Sequence, residues 1–73
     1  MSSAVERILL HSTLVSSVVY RDDGTLDVEF CRGTTYRYLE VPKNVFEDLL
    51  RAESVGRYFN RHIRHCFKYL RLA

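Results

Sequence analysis

The chain has no tryptophan, one proline, three glycines and two cysteines among its 73 residues. Each scarcity excludes something. Two thiols, Cys31 and Cys66, make no disulfide framework, whereas a secreted domain of this size usually carries several bridges. Gly24, Gly33 and Gly56 stand apart, so no glycine-rich loop cradles a phosphate. Long apolar runs are missing as well. Met1 to Val19 is broken by Glu6, Arg7, His11 and several serines, which is unlike a signal peptide, and no segment is apolar enough to span a bilayer. These absences lead us to expect a cytoplasmic protein with free thiols and no membrane attachment.

Catalytic groupings are also missing. Ser12, Ser16, Ser17 and Ser54 lie in no nucleophile motif, and Asp22-Asp23 sits where aspartate is favoured for turn reasons. His62, His65 and Cys66, with Cys31 remote from them, have spacings that one helical face can offer a metal. The closely spaced cysteine pair of structural zinc sites is absent, and Cys66 falls on the apolar side of that helix, so buried, inert thiols are expected instead. The expectation is a protein that is not an enzyme and uses no metal or cofactor.

What is present is ordinary globular material: 47% hydrophobic, 27% charged and 12% aromatic residues. A chain this short forms one domain and buries only about 60% of its unfolded surface, which leaves little core for a deep pocket. Residues 1–11 fit a loose arm or a short helix. Ser3 and Glu6 have capping-box spacing, and Val5, Ile8 and Leu9 share a helical face. From Leu14 the period becomes two. Leu14, Val18 and Tyr20 alternate with polar neighbours, interrupted by Ser16. Leu26, Val28 and Phe30 alternate with Asp27 and Glu29, and Tyr36 and Tyr38 with Thr35 and Arg37.

Asp22-Asp23-Gly24 and Cys31-Arg32-Gly33 read as three-residue hairpin loops with glycine at the left-handed position. That geometry sets Tyr20 opposite Leu26, Val18 opposite Val28, Val28 opposite Tyr36 and Leu26 opposite Tyr38, all on one face. The other face pairs Asp27 with Arg37. Pro42 then opens a helix with Val45, Phe46, Leu49 and Leu50 as its apolar stripe, Ser54 caps a second helix, and Gly56 implies a close backbone approach. The fold expected is α+β: a three-stranded antiparallel meander with two C-terminal helices packed on one face.

Charge is unevenly placed. Residues 1–50 hold five Lys/Arg against eight Asp/Glu, a balance of −3, while residues 51–73 hold six against Glu53 alone, a balance of +5. If residues 57–71 form one helix, Arg57, Arg61, Arg64, Lys68 and Arg71 fall within roughly ±40° of one direction, with Phe59, Ile63, Cys66, Phe67 and Leu70 opposite. Five cations in a row match phosphates along a nucleic-acid backbone, with Tyr58 or Tyr69 placed to stack on bases. The same row also fits a plain solvated helix face. Arg37, on the open sheet face, is a further contact candidate, with its pair to Asp27 as the alternative. Tyr36 and Tyr38 offer rings for base stacking, but the register turns both toward Leu26, Val28 and the helices, which favours a structural role with the hydroxyls at the rim.

Tyr36-Arg37-Tyr38, Val41-Pro42, then Phe46, Leu49, Leu50, Ala52 and Ser54, the run Gly56-Arg57-Tyr58-Phe59-Asn60 and finally Ile63-Arg64 resemble the KTSC domain. Tyr20 and Leu26 to Phe30 belong to the same pattern, and residues 12–73 make one such domain. The module is named for the C-terminus of some lysyl-tRNA synthetases and also occurs as a free-standing bacterial protein. The resemblance implies a non-catalytic module and suggests RNA by association with a tRNA-handling enzyme. Val55 replaces a lysine common in that family. His65 and Lys68 replace a glycine and a proline that often end the helix near residue 64, so its extent is open. The partners expected are therefore RNA or another polyanion, or alternatively a protein docked on a sheet edge or apolar patch, self-association included.

Overall fold

A computed structural model describes residues 5–73. Its elements are β1 (Val5–Leu9), β2 (Val15–Arg21), β3 (Leu26–Phe30), β4 (Thr35–Tyr38), α1 (Lys43–Arg51), α2 (Val55–His62) and β5 (Tyr69–Arg71). The strands form one antiparallel sheet in the order β1-β2-β3-β4-β5.

The central meander follows its turns. Gly24 and Gly33 adopt φ of 87° and 101°, a region glycine enters without the penalty that Cβ imposes. The Gly24 N–H donates to Arg21 O at 3.0 Å and the Gly33 N–H to Phe30 O at 2.8 Å, closing the two loops alike. Tyr20 therefore faces Leu26, Val18 faces Val28, Val28 faces Tyr36 and Leu26 faces Tyr38. Val18, Leu26, Val28 and Tyr38 from the sheet meet Phe46 of α1, Phe59 of α2 and Ile63 beyond it, all fully or almost fully buried. The α+β class and the packing of both helices on one face are as expected; the number of strands is not.

Five strands replace three. Residues 5–9 form β1 and not a helix or loose arm, and Ser3 of the supposed capping box lies outside the described residues. The reason is β2, whose outer edge would leave a row of backbone groups without partners. Pairing Ile8 with Val18 satisfies that edge and brings Ile8 against the core. Within β2 the apolar alternation is also shifted. Val15 pairs with Phe30 and Ser17 with Glu29, so Ser16 is the extra residue of a bulge and donates its hydroxyl to Glu29 O at 3.1 Å. Val15, and not Leu14, fills the core position; Leu14 instead packs toward Gly56.

The second helix stops at His62, far short of residue 71. The Ile63 and Arg64 N–H groups both donate to Phe59 O, at 3.0 and 2.9 Å, and the chain turns back to the sheet. Leu39 N–H donates to Lys68 O at 2.9 Å and Leu72 N–H to Thr35 O at 2.8 Å, so β5 covers the edge that β4 would otherwise expose. Tyr69 lies 5.1 Å from Tyr36 and 5.4 Å from Tyr38, ring centre to ring centre. Edge pairing plus aromatic contact outweighs helix continuation through His65, Cys66 and Tyr69, which are only middling helix formers. Consequently Cys66 and Leu70, expected on a buried helical face, are exposed, and Cys31 is exposed too; both thiols are free. Among the described residues, no helix is long and apolar enough to cross a membrane.

Candidate functional site

The candidate face is built on α2, which is anchored at three points. The Ser54 hydroxyl accepts from the Arg57 N–H at 3.2 Å, capping the helix. At Gly56 a Cβ would lie 3.4 Å from Leu14 Cβ, so the helix rests directly on the loop before β2. Phe59 is fully buried, meeting Phe30 and Tyr38 edge-on at 5.3 and 5.6 Å. With these inward anchors, Arg57 and Arg61 emerge one turn apart on the opposite side and are both exposed.

Arg57 and Arg61 line one open depression of about 430 Å³ together with Glu53, Ser54, Tyr58 and His62. Tyr58 forms its wall and does not stand free: its ring lies 4.5 Å from the His62 ring, tilted by 37°, and burial followed by the charge of Asp48 raises its pKa. Arg64, beyond the helix end, lines a second depression of about 410 Å³ with Arg32, Phe30, Tyr36 and Tyr38. The Arg64 guanidinium donates to Asn60 Oδ1 at 3.1 Å, which gives Asn60 an orienting role.

The expected row of five cations does not exist, because it required a helix through residue 71. Lys68 lines a separate hollow with Leu39, Glu40, Cys66 and Phe67. Arg71 lies on β5, where its Nε donates to Ala73 O at 3.2 Å. Tyr69 belongs to the Tyr36–Tyr38 aromatic group and is half exposed. Arg37 is engaged, donating from Nε and NH2 to Asp27 at 2.8 and 3.1 Å. Arg21 NH1 reaches the same carboxylate at 3.0 Å, so Asp27 is clasped by two arginines on the open sheet face. Burial pushes the Asp27 carboxyl up, but these two partners outweigh it and hold it below the usual carboxylate range.

Carboxylates thus occupy Arg7, Arg21, Arg37 and Arg51. Among the described residues, Arg32, Arg57, Arg61 and Arg64 have no carboxylate within ion-pairing distance. In sequence, Cys31-Arg32-Gly33 reads as a turn, and Arg32 has no spacing that ties it to the other arginines. The bulk of an arginine at the tip of a hairpin was the one available signal. No cluster of three or more potential metal ligands forms among the described residues.

The family-pattern residues now have physical duties. Tyr38, Val41 and Phe59 are core, Pro42 precedes α1, Gly56 permits close approach, and Asn60 orients Arg64. A family model described as the KTSC domain matches residues 11–69. This chain belongs to the KTSC domain family. Among KTSC relatives, an uncharacterized protein of Stutzerimonas stutzeri is 41% identical over 58 residues, covering 78% of this chain and 82% of its own length. A lysine–tRNA ligase of Nostoc punctiforme is 45% identical over 49 residues, 67% of this chain but only 9% of the ligase. The crystal structure of a KTSC domain protein from Yersinia pestis matches with a TM-score of 0.86 and 30% identity, covering 96% of this chain and all of that one.

Proposed function

We propose that this KTSC domain is a non-enzymatic module that binds RNA or a comparable polyanion, with Arg57 and Arg61 on phosphates and Arg64 extending the contact. The observation that carries the reading is the pair of exposed guanidinium groups lining one depression with no carboxylate within ion-pairing distance among the described residues. An exposed arginine without an acidic partner keeps its full set of donors for a phosphate. Glu53 on the same rim lowers the local potential, and because α2 ends at His62 two phosphate contacts are expected there and not five. The occurrence of a matching stretch inside a lysine–tRNA ligase supports RNA as the polyanion by association. Lys68, Arg71 and Arg37 drop out of the contact set, as do Tyr58 and Tyr69 as free stacking platforms.

Titration of the purified domain with tRNA and with mixed-sequence single strands at low salt tests this. Micromolar binding that weakens steeply with added salt is the expected result. Absence of binding under those conditions overturns the proposal.

A protein-docking role is the second reading, favoured by one observation. Leu70 and Leu72 are 53% and 46% exposed on and beside the three-residue edge strand β5. Concentration-dependent sedimentation, or capture of a partner that resists nuclease, would favour it over RNA.

A further inference from the structure

The depression between the second hairpin loop and the end of α2 combines aromatic and basic side chains. Phe30 and Tyr36 form its aromatic wall, with Leu14 alongside, and Arg32 and Arg64 contribute charge from two different elements. The two rings meet at 89° with centroids 5.6 Å apart. Tyr69 already stacks on Tyr36 at 5.1 Å and Phe59 meets Phe30 at 5.3 Å, so a planar group in this corner would stack on the ring surface those contacts leave uncovered. The hollow is about 410 Å³, within the range of about 300–1,000 Å³ typical of small-molecule sites.

A second observation points the same way. Tyr38 is 2% exposed and lines this depression. Its hydroxyl can offer a donor and an acceptor to a ligand in the hollow. Burial, then the neighbouring Tyr69 and Tyr36, push its pKa up to about 12 despite the opposing charge of Arg64, so it remains a donor at physiological pH. Asn60 holds the Arg64 guanidinium from one side and leaves its remaining N–H groups to a ligand.

We infer that this depression holds one nucleotide unit, its base in the Phe30–Tyr36 corner and its phosphate on Arg32 and Arg64, with the Tyr38 hydroxyl donating to the ligand. The unit comes either from a free nucleoside monophosphate or from an unstacked residue of an RNA strand. Aromatic surface alone would suit many apolar ligands, and paired arginines alone would suit any anion. Their union in one hollow selects a planar group joined to a phosphate. In its RNA form the inference rests on the polyanion reading above; in its mononucleotide form it stands apart from it.

Heteronuclear NMR titration of the domain with adenosine monophosphate tests the site directly, with adenosine, ribose phosphate and phosphotyrosine as parallel arms. The expected result is amide shifts at Thr34, Tyr36 and Arg64, with each parallel ligand bound about tenfold more weakly or worse. Arg64→Gln and Arg32→Gln should each weaken the mononucleotide several-fold. Tyr38→Phe, which keeps the packing ring, should weaken it without lowering the melting temperature. Ribose phosphate or phosphotyrosine binding as well as the mononucleotide would overturn the inference, as would shifts confined to Arg57 and Arg61 or no shifts at millimolar ligand. Adenosine monophosphate distinguishes free nucleotide; a single strand with one abasic site distinguishes an RNA base, which should then lose about tenfold in affinity. RNA binding that depends on Arg57 and Arg61 but ignores the abasic site and the pocket variants removes this inference and leaves the polyanion reading in place. Mononucleotide binding without RNA binding does the reverse.

Discussion

Asp27→Asn isolates the ion cluster that removes two arginines from the ligand-binding pool. The native carboxylate receives three contacts, from Arg37 Nε at 2.8 Å, Arg37 NH2 at 3.1 Å and Arg21 NH1 at 3.0 Å. Its side chain is 12% exposed, against 31% for Arg21 and 35% for Arg37. Hydrogen bonds to charged groups contribute about 1.5–3 kcal/mol when well shielded, and exposed ion pairs below about 1 kcal/mol. Solvent reaches both arginines and asparagine keeps one acceptor, so we expect a loss of about 2 kcal/mol. A chain of 73 residues has a total stability of only about 4–11 kcal/mol. At about 4–8 °C per kcal/mol, the melting temperature should fall by roughly 8–16 °C at neutral pH.

The pH dependence carries the discriminating sign. Because the folded carboxyl titrates below its unfolded value of about 3.9, its contribution is complete above that value and disappears as pH falls through the folded value. The gap between wild type and Asp27→Asn should therefore be constant from pH 7 to about pH 5 and close progressively below about pH 4. Thermal and urea unfolding at both ends of that range measures it. A neutral-pH gap under about 0.5 kcal/mol, the range of ordinary surface substitutions, would refute the clasp, as would a gap that persists unchanged in acid.

Arg37→Gln should leave RNA affinity unchanged in the same titration, since Asp27 already occupies that guanidinium. Ser54→Ala removes the α2 cap and should cost about 1 kcal/mol, read as a lower melting temperature. Gly33→Ala meets no atom within 4 Å, so its loss of about 1–2 kcal/mol is purely the cost of φ at 101° for a residue with Cβ. Glu40 at φ 55° is the converse case, and Glu40→Gly should raise stability by up to about 1 kcal/mol in urea unfolding.

The parts legible in the sequence were those set by local geometry. Two glycines at the last position of their loops fixed two strand registers, because a three-residue turn allows only one pairing once both glycines are left-handed. The Asp27–Arg37 pair followed from that register, and Ser54 and Gly56 acted as their residue types suggest. What escaped was decided by distant partners. Val5 to Leu9 carries no alternation strong enough to distinguish strand from helix; β2 supplies the decision by presenting an open edge. Residues 63–71 obey helical periodicity closely, yet β4 and the Tyr36–Tyr38 rings draw Tyr69 into the sheet. Ser16 looked like a flaw in an apolar row and is the bulge that moves Val15 inward.

The site was legible only in part for the same reason. Arg57 and Arg61 lie within one helical turn, so their common direction survives any choice of helix end. Arg71 and Lys68 depended on the long helix and left the group with it. Arg32 joins Arg64 only through the approach of the hairpin tip to the end of α2, a tertiary contact that no spacing in the chain encodes.

The most direct measurement of the central claim compares the salt dependence of RNA binding for wild type and Arg57→Gln/Arg61→Gln. Each phosphate contact contributes about 0.7–0.9 to the slope of log affinity against log salt, so removing two should flatten it by roughly 1.4–1.8 while the melting temperature holds. An unchanged slope, with RNA still bound, would contradict the assignment of phosphate contact to α2.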